Sequence, residues 1–219
     1  MKTTVIIGGG GHAKVVIEVM RATGEFDPIA CVAADAPDQL LGVPVMGDDS
    51  CLTALLGSGI VHAFVAIGNN HRRALLIEKA RKLGFQIVTV VSPAAIISPS
   101  ARLGEGVVIM PGAHIGTEAI IGDGTIINSN SNVDHDCVIE ENCHLAPGCT
   151  LAGGVTIRSK TFLGTGVSVI PYIQIGARTT VGAGSVVIRD VPDDMTTFGV
   201  PAHHQALPND EPHGNSDSV

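Results

Sequence analysis

The sequence predicts a chain in two parts, an α/β domain followed by an all-β parallel β-helix. In residues 1–92, short aliphatic runs alternate with segments whose apolar residues follow helical spacing. From residue 97 to residue 187, an Ile, Leu or Val recurs at every sixth position without a slip, and a six-residue repeat is typical of β-helices. The composition agrees, because 27 Gly, one Tyr and no Trp suit a tightly coiled backbone better than a sandwich or a helical bundle.

The first part is predicted to be a half-Rossmann-like α/β domain over residues 1–92. An aliphatic run at 4–7 ends in Gly8-Gly9-Gly10-Gly11, and helical spacing follows over 12–23. Further strands are predicted over 29–33, 63–67 and 86–91, with a helix at about 72–83. About 92 residues are too few for a complete Rossmann domain, so half of one is expected.

The second part, residues 93–202, is predicted to wind as a triangular coil. Each hexad is interpreted as one short strand and a turn, and three hexads make one coil, so the repeat gives a little over five coils. Stacking of neighbouring coils buries the aliphatic positions. The fourth residue after each aliphatic position is mostly small or β-branched and faces inward, which places Cys137, Cys143 and Cys149 in the core. Residues 203–219 are polar and are predicted to form a flexible tail.

Charge and hydropathy exclude several classes of function. The net charge of −8 disfavours a nucleic-acid or anionic-membrane surface, which needs clustered Lys and Arg. No apolar run approaches the ~20 residues that span a bilayer, and no signal peptide is recognised, so a cytoplasmic protein is expected. The five cysteines contain no CxxC pair, and their odd number disfavours a disulfide framework.

The Gly-rich turn between the first strand and helix is a candidate anion site. Glycines there let backbone N–H groups approach a phosphate, and the helix dipole favours negative charge. Gly8, Gly10 and Ala13 also match a dinucleotide fingerprint, with Asp35 at roughly the expected distance. The shortness of the domain disfavours NAD. A turn that serves only close helix–strand packing is the remaining alternative.

His135 is the strongest candidate for chemistry. It follows the inward Val133 by two places and does not belong to the inward-facing set of the hexad register, so it is available for chemistry. Histidine titrates near neutrality and suits a general base; an ordinary exposed turn histidine is the alternative. Asp134 and Asp136 flank it, but neighbouring side chains on an ideal strand point apart. Contact between His135 and Asp136 therefore requires a turn.

Three segments together resemble one family. The hexad register resembles the left-handed β-helix of the hexapeptide-repeat acyltransferases, and the handedness is taken from that resemblance. Two further groups of residues make the match more specific. The first is IGGGGHAKVV at 7–16 with AIGNN at 66–70. The second is NVDHDC at 132–137 with His144 and GVPA at 199–202. They look like nucleotide-sugar N-acetyltransferases acting on 4-amino-4,6-dideoxyhexoses in bacillosamine and perosamine pathways, relatives of sialic-acid O-acetyltransferases. The resemblance covers about residues 3–202.

The resemblance implies acetyl transfer from acetyl-CoA to the 4-amino group of a UDP- or GDP-linked sugar. His135 would be the catalytic base, with Asp136 raising its basicity, and no step needs a metal. The implied enzyme is a homotrimer with active sites between subunits. The implied substrate-binding residues are Gly10, Gly11, His12, Asp35, Gly68, Asn69 and Asn128. The implied acetyl-CoA-binding residues are His144, Gly153, Thr165 and Ala183, the last two largely through their backbone.

Three other functions are weighed against this one. O-acetylation of a sugar hydroxyl, as in the sialic-acid relatives, is the alternative within the transferases. A β-helical carbonic anhydrase would need three histidines on a metal, and His114, His135 and His144 are the candidates. That function would leave the α/β part without a purpose. The third function is a non-catalytic scaffold that binds sugar nucleotides. For Asn128 alone, a plain turn asparagine is about as well supported as a contact to the amino sugar.

Overall fold

The structure is a computed structural model that describes residues 1–205. It opens with a parallel four-stranded sheet in the order β2-β1-β5-β6, with a small antiparallel pair, β3 and β4, in the β2–β5 connection. The elements are β1 (Lys2–Ile7), α1 (Gly11–Thr23), β2 (Phe26–Val32), β3 (Gln39–Leu40), β4 (Val43–Pro44), a 3-10 turn (Asp49–Cys51), α2 (Leu52–Gly57), β5 (His62–Val65), α3 (Asn70–Leu83) and β6 (Gln86–Ile87). Within residues 1–205, no helix is long and apolar enough to cross a bilayer.

Helix ends follow from local sequence. Gly24 ends α1 and Gly84 ends α3, both in the left-handed region at φ 68° and 107°, where glycine carries no Cβ penalty. Asn69 is the N-cap of α3, because its side-chain oxygen accepts a hydrogen bond from the Arg72 backbone N–H at 2.9 Å. Helix α1 begins at Gly11, and its N-cap residue, Gly10, makes no side-chain cap, so the first amides of the helix are left for another partner.

A triangular β-helix follows, with one sheet on each face. Face 1 holds β7 (Val90–Val91), β10 (Val108–Ile109), β13 (Ile126–Ile127), β16 (His144–Leu145), β19 (Phe162–Leu163), β22 (Thr180–Val181), β24 (Thr196–Phe198) and β25 (His203–Gln205). Face 2 holds β8 (Ile96–Ile97), β11 (His114–Ile115), β14 (Asn132–Val133), β17 (Thr150–Leu151), β20 (Ser168–Val169) and β23 (Val186–Val187). Face 3 holds β9 (Arg102–Leu103), β12 (Ile120–Ile121), β15 (Val138–Ile139), β18 (Thr156–Ile157) and β21 (Gln174–Ile175).

The predicted strand over 86–91 is divided between the two parts of the molecule. Residues 86–87 form β6 in the first sheet, whereas Val90 and Val91 pair with β10 as the first strand of the β-helix. Val91 lies six residues before Ile97, so the hexad register begins one step earlier than predicted. The coils therefore number about six rather than a little over five. The domain boundaries at residues 92 and 202 stay predictions.

The predicted core of the β-helix is confirmed. The aliphatic hexad positions from Ile109 onward are buried, as are Cys137, Cys143 and Cys149. Ile97 and Leu103 are only partly buried, because the first coil has a neighbour on one side. Part of the predicted tail, His203–Gln205, pairs antiparallel with β24, and residues 206–219 lie outside the described residues.

Face 1 carries the α/β domain. The outward residues Val90, Val108 and Ile126 are buried on this face, where a solvated strand would place polar side chains. They pack in one cluster with apolar residues of the first domain, including Val16 and Phe64. Burial of this apolar surface fixes the α/β domain on the first coils of face 1.

The cysteines make a simple test of this packing. Cys31, Cys137, Cys143 and Cys149 are buried and Cys51 is partly exposed; burial raises the pKa of Cys143 to about 12 and that of Cys149 to about 11. Because the thiolate is the nucleophile, we expect Ellman's reagent to label one thiol in the native protein and five after unfolding. Cys51→Ser should abolish the native reaction. Rapid native labelling of two or more thiols would contradict the predicted packing.

Candidate active site

His135 and Asp136 form a hydrogen-bonded pair at the corner between faces 2 and 3. Asp136 adopts a left-handed backbone at φ 59°, and this turn brings two neighbouring side chains together, with His135 Nδ1 2.7 Å from Asp136 Oδ2. Asp134 has another role, because its Oδ1 accepts the His135 backbone N–H at 2.7 Å. A carboxylate only accepts, so Nδ1 carries the proton and Nε2 keeps its lone pair.

The surroundings of His135 make it a stronger base. The hydrogen bond to Asp136, followed by the charge of Asp134, raises the pKa of His135 above its ordinary value. The side chain is half-exposed, at 51%, so a substrate can reach it. The pair thus has the form of a general base with an orienting carboxylate.

Gly153 lies against the His135 imidazole, one coil further along the same corner. A Cβ at Gly153 would stand 2.5 Å from both Cε1 and Nε2 of the ring. The coils are joined here by a hydrogen bond from the Gly154 N–H to the His135 carbonyl oxygen at 2.9 Å. The His135 ring can therefore occupy this position only because residue 153 has no side chain.

A second group of predicted residues meets on face 1, beside the α/β domain. His144 Nδ1 lies 3.3 Å from the Gly68 carbonyl oxygen, and His144 Nε2 lies 3.4 Å from Asn128 Nδ2. The His144 ring packs edge-on against Phe162 and lies 6.4 Å from the His12 ring. Residues implied for the sugar nucleotide and for acetyl-CoA are thus adjacent here.

Both histidines of this group are neutral at physiological pH. Burial, and then the charge of Arg73, lowers the pKa of His12 to about 4 and that of His144 to about 3. His12 Nε2 is buried and has no hydrogen-bond partner among residues 1–205. A buried polar nitrogen is costly to leave unpaired, so His12 is suited to contact a ligand.

The glycines of the Gly-rich turn divide into two kinds. A Cβ would collide with the Ala66 carbonyl oxygen at Gly8 and with Ala33 at Gly9, whereas Gly10 and Gly11 face open space. Packing alone accounts for the first two. The other two begin the uncapped helix α1, where an anion is favoured.

The remaining predicted residues are spread along the surface. Asp35 is exposed beyond the end of β2, and Asn69 is engaged as the cap of α3. Thr165 and Ala183 are exposed on successive coils at the corner between faces 1 and 2. A groove of about 660 Å³ between α3 and face 3 contains none of the predicted site residues.

The triangular cross-section separates the two groups within one chain. The corner that carries His135 and Gly153 joins faces 2 and 3, so it lies across the coil from face 1. The α/β domain, His12 and His144 lie on face 1. A single chain therefore does not bring the candidate base to the residues implied for the sugar nucleotide.

The histidines proposed for a metal are engaged separately. His114 Nδ1 lies 2.9 Å from Asn132 Oδ1, whereas His135 pairs with Asp136 and His144 packs on Phe162. Among residues 1–205, no group of three His, Cys, Asp or Glu side chains could hold a metal ion. The carbonic anhydrase hypothesis gains no support from this arrangement.

Sequence reasoning missed Arg73, which is fully buried where α3 meets the β-helix. Its guanidinium contacts Gly68 on one side and coil carbonyls on the other. An arginine in a helix rich in charged residues gives no sign of burial, and the contact depends on how the two domains dock.

Comparison with known proteins decides the family. The model of the PglD N-terminal domain matches residues 4–80, and the bacterial transferase hexapeptide model matches residues 100–135 and 118–153. Perosamine N-acetyltransferase from Caulobacter crescentus, solved as a variant with CoA and GDP-perosamine, is 51% identical. That match covers 93% of this chain and 97% of the other, with a TM-score of 0.91. The chain belongs to the nucleotide-sugar N-acetyltransferases of the hexapeptide-repeat superfamily.

Two further relatives agree with this family. The acetyltransferase domain of PglB from Neisseria gonorrhoeae, solved with acetyl coenzyme A, is 36% identical over 93% of this chain and 99% of that chain, at a TM-score of 0.87. UDP-N-acetylbacillosamine N-acetyltransferase from Bacillus subtilis is 40% identical over 110 residues, 48% of this chain. This match spans 50% of that relative's length, and the match to galactoside O-acetyltransferase from Lactococcus lactis spans 26%.

Family membership confirms the predicted fold class, an α/β domain followed by a left-handed parallel β-helix. It also confirms the expected class of enzyme, the acetyl-CoA-dependent N-acetyltransferases.

Proposed function

We propose that this enzyme transfers the acetyl group of acetyl-CoA to the 4-amino group of a nucleotide-linked 4-amino-4,6-dideoxyhexose. The observation that carries the proposal is the His135–Asp136 pair seated on Gly153, in a chain of this family. A guanosine nucleotide is favoured, because the relative solved with GDP-perosamine is 51% identical, against 40% over half the chain for the UDP-sugar relative.

The proposed reaction is a direct attack. The neutral sugar amine attacks the thioester carbonyl carbon while His135 Nε2 takes the proton from nitrogen. Asp136 holds Nδ1–H and stabilises the imidazolium that forms. The tetrahedral intermediate then expels the CoA thiolate, which takes up a proton, and the amide remains. Backbone N–H donors would polarise the carbonyl oxygen, and no step needs a metal.

The sugar nucleotide is proposed to bind through the start of α1. Gly10 and Gly11 have open space where a Cβ would stand, and they lie at a helix N-terminus without a side-chain cap, which favours the diphosphate. His12, with its unpaired Nε2, and Gly68 border the same region. Asp35, Asn69 and Asn128 remain proposed contacts of the nucleotide and sugar.

Acetyl-CoA is proposed to run between neighbouring β-helices. His144 on face 1, Thr165 and Ala183 at the next corner, and Gly153 beside the base lie on different sides of one prism. A single bound CoA can touch them all only if two copies contribute. Because acetyl-CoA and nucleotide sugars are cytoplasmic metabolites, the reaction also favours a cytoplasmic enzyme.

We infer that the enzyme is a homotrimer, the assembly that the family resemblance implies; the same separation calls for more than one copy but does not itself give their number. In this proposal the corner with His135 meets face 1 of another copy, and such a contact between unlike surfaces gives a closed ring when its rotation closes. Light scattering should give three times the chain mass. Co-expression of His135→Ala with Gly11→Asp chains, each inactive alone, should restore activity, because each lacks a different half of the site. Mixed oligomers without any restored activity would place the site within one chain.

The proposed substrate is tested by thiol release. The enzyme is incubated with acetyl-CoA and a 4-amino-4,6-dideoxyhexose linked to GDP or UDP, with and without EDTA. We expect thiol release that EDTA does not inhibit and that is faster with the GDP-linked sugar than with the UDP-linked sugar. Release that requires a metal, or no release with either amino sugar, would contradict the proposed function.

The carboxylate of Asp136 should set the pH dependence. It raises the pKa of His135, and the base works only when neutral, so activity falls as pH falls through that pKa. Asp136→Asn should move the acidic limb of kcat/KM to lower pH and reduce the plateau rate, since a weaker base remains. Glu118→Gln removes a charge at the same corner one coil earlier and should leave the limb in place. An unmoved limb in Asp136→Asn would exclude this role.

A further inference from the structure

Arg73 is a charged side chain with no exposed surface and six acceptors. Its exposed fraction is 0%. Nε donates to the Gly124 carbonyl oxygen at 2.6 Å, and Nη1 donates to those of Ile67 and Gly68 at 2.9 and 3.0 Å. Nη2 donates to Asn70 Oδ1 at 2.7 Å and to the carbonyl oxygens of Asn142 and Cys143 at 2.9 and 3.1 Å. None of these acceptors is a carboxylate.

These acceptors lie on two sides of the domain junction. Ile67, Gly68 and Asn70 belong to the end of the β5–α3 loop and the start of α3. The others belong to the corner between faces 3 and 1, where Gly124 and Asn142 occupy the same place on successive coils. One planar guanidinium therefore holds the loop in a fixed relation to the β-helix.

The Gly68 carbonyl oxygen connects this junction to the proposed binding region. It accepts from Arg73 Nη1 at 3.0 Å and lies 3.3 Å from His144 Nδ1. Asn70 adds a second link, because its Nδ2 donates to the carbonyl oxygens of Lys160 and Thr161 at 3.0 and 3.1 Å. Residues 67–70 are thus tied to three coils next to His144.

We propose that Arg73 is a positioning residue that holds residues 67–70 against the β-helix, so that Gly68 and His144 form a preformed surface for both substrates. The inference rests on the proposed function. Burying a cation among neutral carbonyls is costly, and an apolar side chain could join two domains without that cost. The rigid fork of the guanidinium supplies the directed hydrogen bonds that fix a binding loop.

Arg73→Lys tests the proposal, because it keeps the charge but loses the fork. We expect a folded protein whose KM for the nucleotide sugar and for acetyl-CoA rises about tenfold or more, as expected when charge-assisted hydrogen bonds are lost. The kcat and the acidic limb of the pH profile should change little, because His135 lies at another corner. Asn70→Ala should raise the same KM values to a smaller extent.

Arg81→Lys is the matched control. Arg81 lies on the same helix and joins the same two domains, through Glu105 at 2.8 Å and Asp123 at 2.7 Å, and neither of these hydrogen bonds involves residues 67–70. Its KM values should equal those of the wild type at temperatures well below unfolding. Unchanged KM values in Arg73→Lys, or equal KM shifts in both lysine variants, would overturn the proposal. The affinity of Arg73→Lys for CoA, measured by calorimetry, does not depend on turnover. This measurement therefore tests the role of Arg73 even if the proposed activity is not found.

Discussion

His135→Ala is expected to lower kcat by roughly 10²–10⁴-fold, the usual contribution of a general base. The KM values should change little, because the imidazole acts on the proton that leaves in the transition state. Folding should be unaffected, since the side chain is half-exposed and its partner Asp136 is also exposed. The measurement is steady-state thiol release at saturating amino sugar, together with a thermal melt of each variant.

His62→Ala serves as the control for this substitution. His62 begins β5, at the opposite end of that strand from Gly68, and has no part in the proposed chemistry. Its kcat should match the wild type. If His135→Ala retained the wild-type kcat and pH profile, His135 would be an ordinary turn histidine.

Gly153→Ala is expected to have the second-largest effect. The new methyl group would stand 2.5 Å from Cε1 and Nε2 of His135, so the imidazole ring must move. A displacement of about 1 Å at a catalytic group can cost about 10²-fold in rate. We expect a loss of that order in kcat, with a changed acidic limb because the His135–Asp136 hydrogen bond is disturbed.

Gly122→Ala separates this effect from general strain in the coil. A Cβ at Gly122 would lie 2.6 Å from the Glu141 backbone nitrogen, so this variant also crowds the next coil, but at a corner without His135. It should lower the melting temperature and leave the pH profile unchanged. Equal kinetic losses in the two alanine variants would mean that Gly153 acts only through coil stability.

The sequence predicted the β-helix well because one interaction repeats. Each hexad places an aliphatic residue inward, so the register alone identified the core and buried Cys137, Cys143 and Cys149. The prediction of one strand over residues 86–91 was wrong, because the mainly aliphatic run QIVTVV conceals two short strands in different sheets. The outward apolar residues Val108 and Ile126 were an overlooked sign that another domain covers face 1.

The site was predictable in its residue types and less so in its contacts. His135 was available from the register, but its bond to Asp136 depends on a left-handed backbone at Asp136, a conformation that is uncommon for residues other than glycine although aspartate adopts it more often than most. The contact with Gly153 could have been expected, because residues eighteen apart stack on successive coils. The buried position of Arg73 could not have been expected, since its acceptors are mainly carbonyl groups that only the docking of the two domains brings together.

The decisive measurement is the chemical identity of the product formed from acetyl-CoA and a GDP-linked 4-amino-4,6-dideoxyhexose. Mass spectrometry before and after mild alkaline treatment distinguishes an amide, which survives, from an ester, which is hydrolysed. We expect one acetyl group in an alkali-stable linkage, formed by the wild type and strongly reduced in His135→Ala. An alkali-labile acetyl group would assign the enzyme to O-acetylation, and equal product from His135→Ala would contradict base catalysis by this histidine.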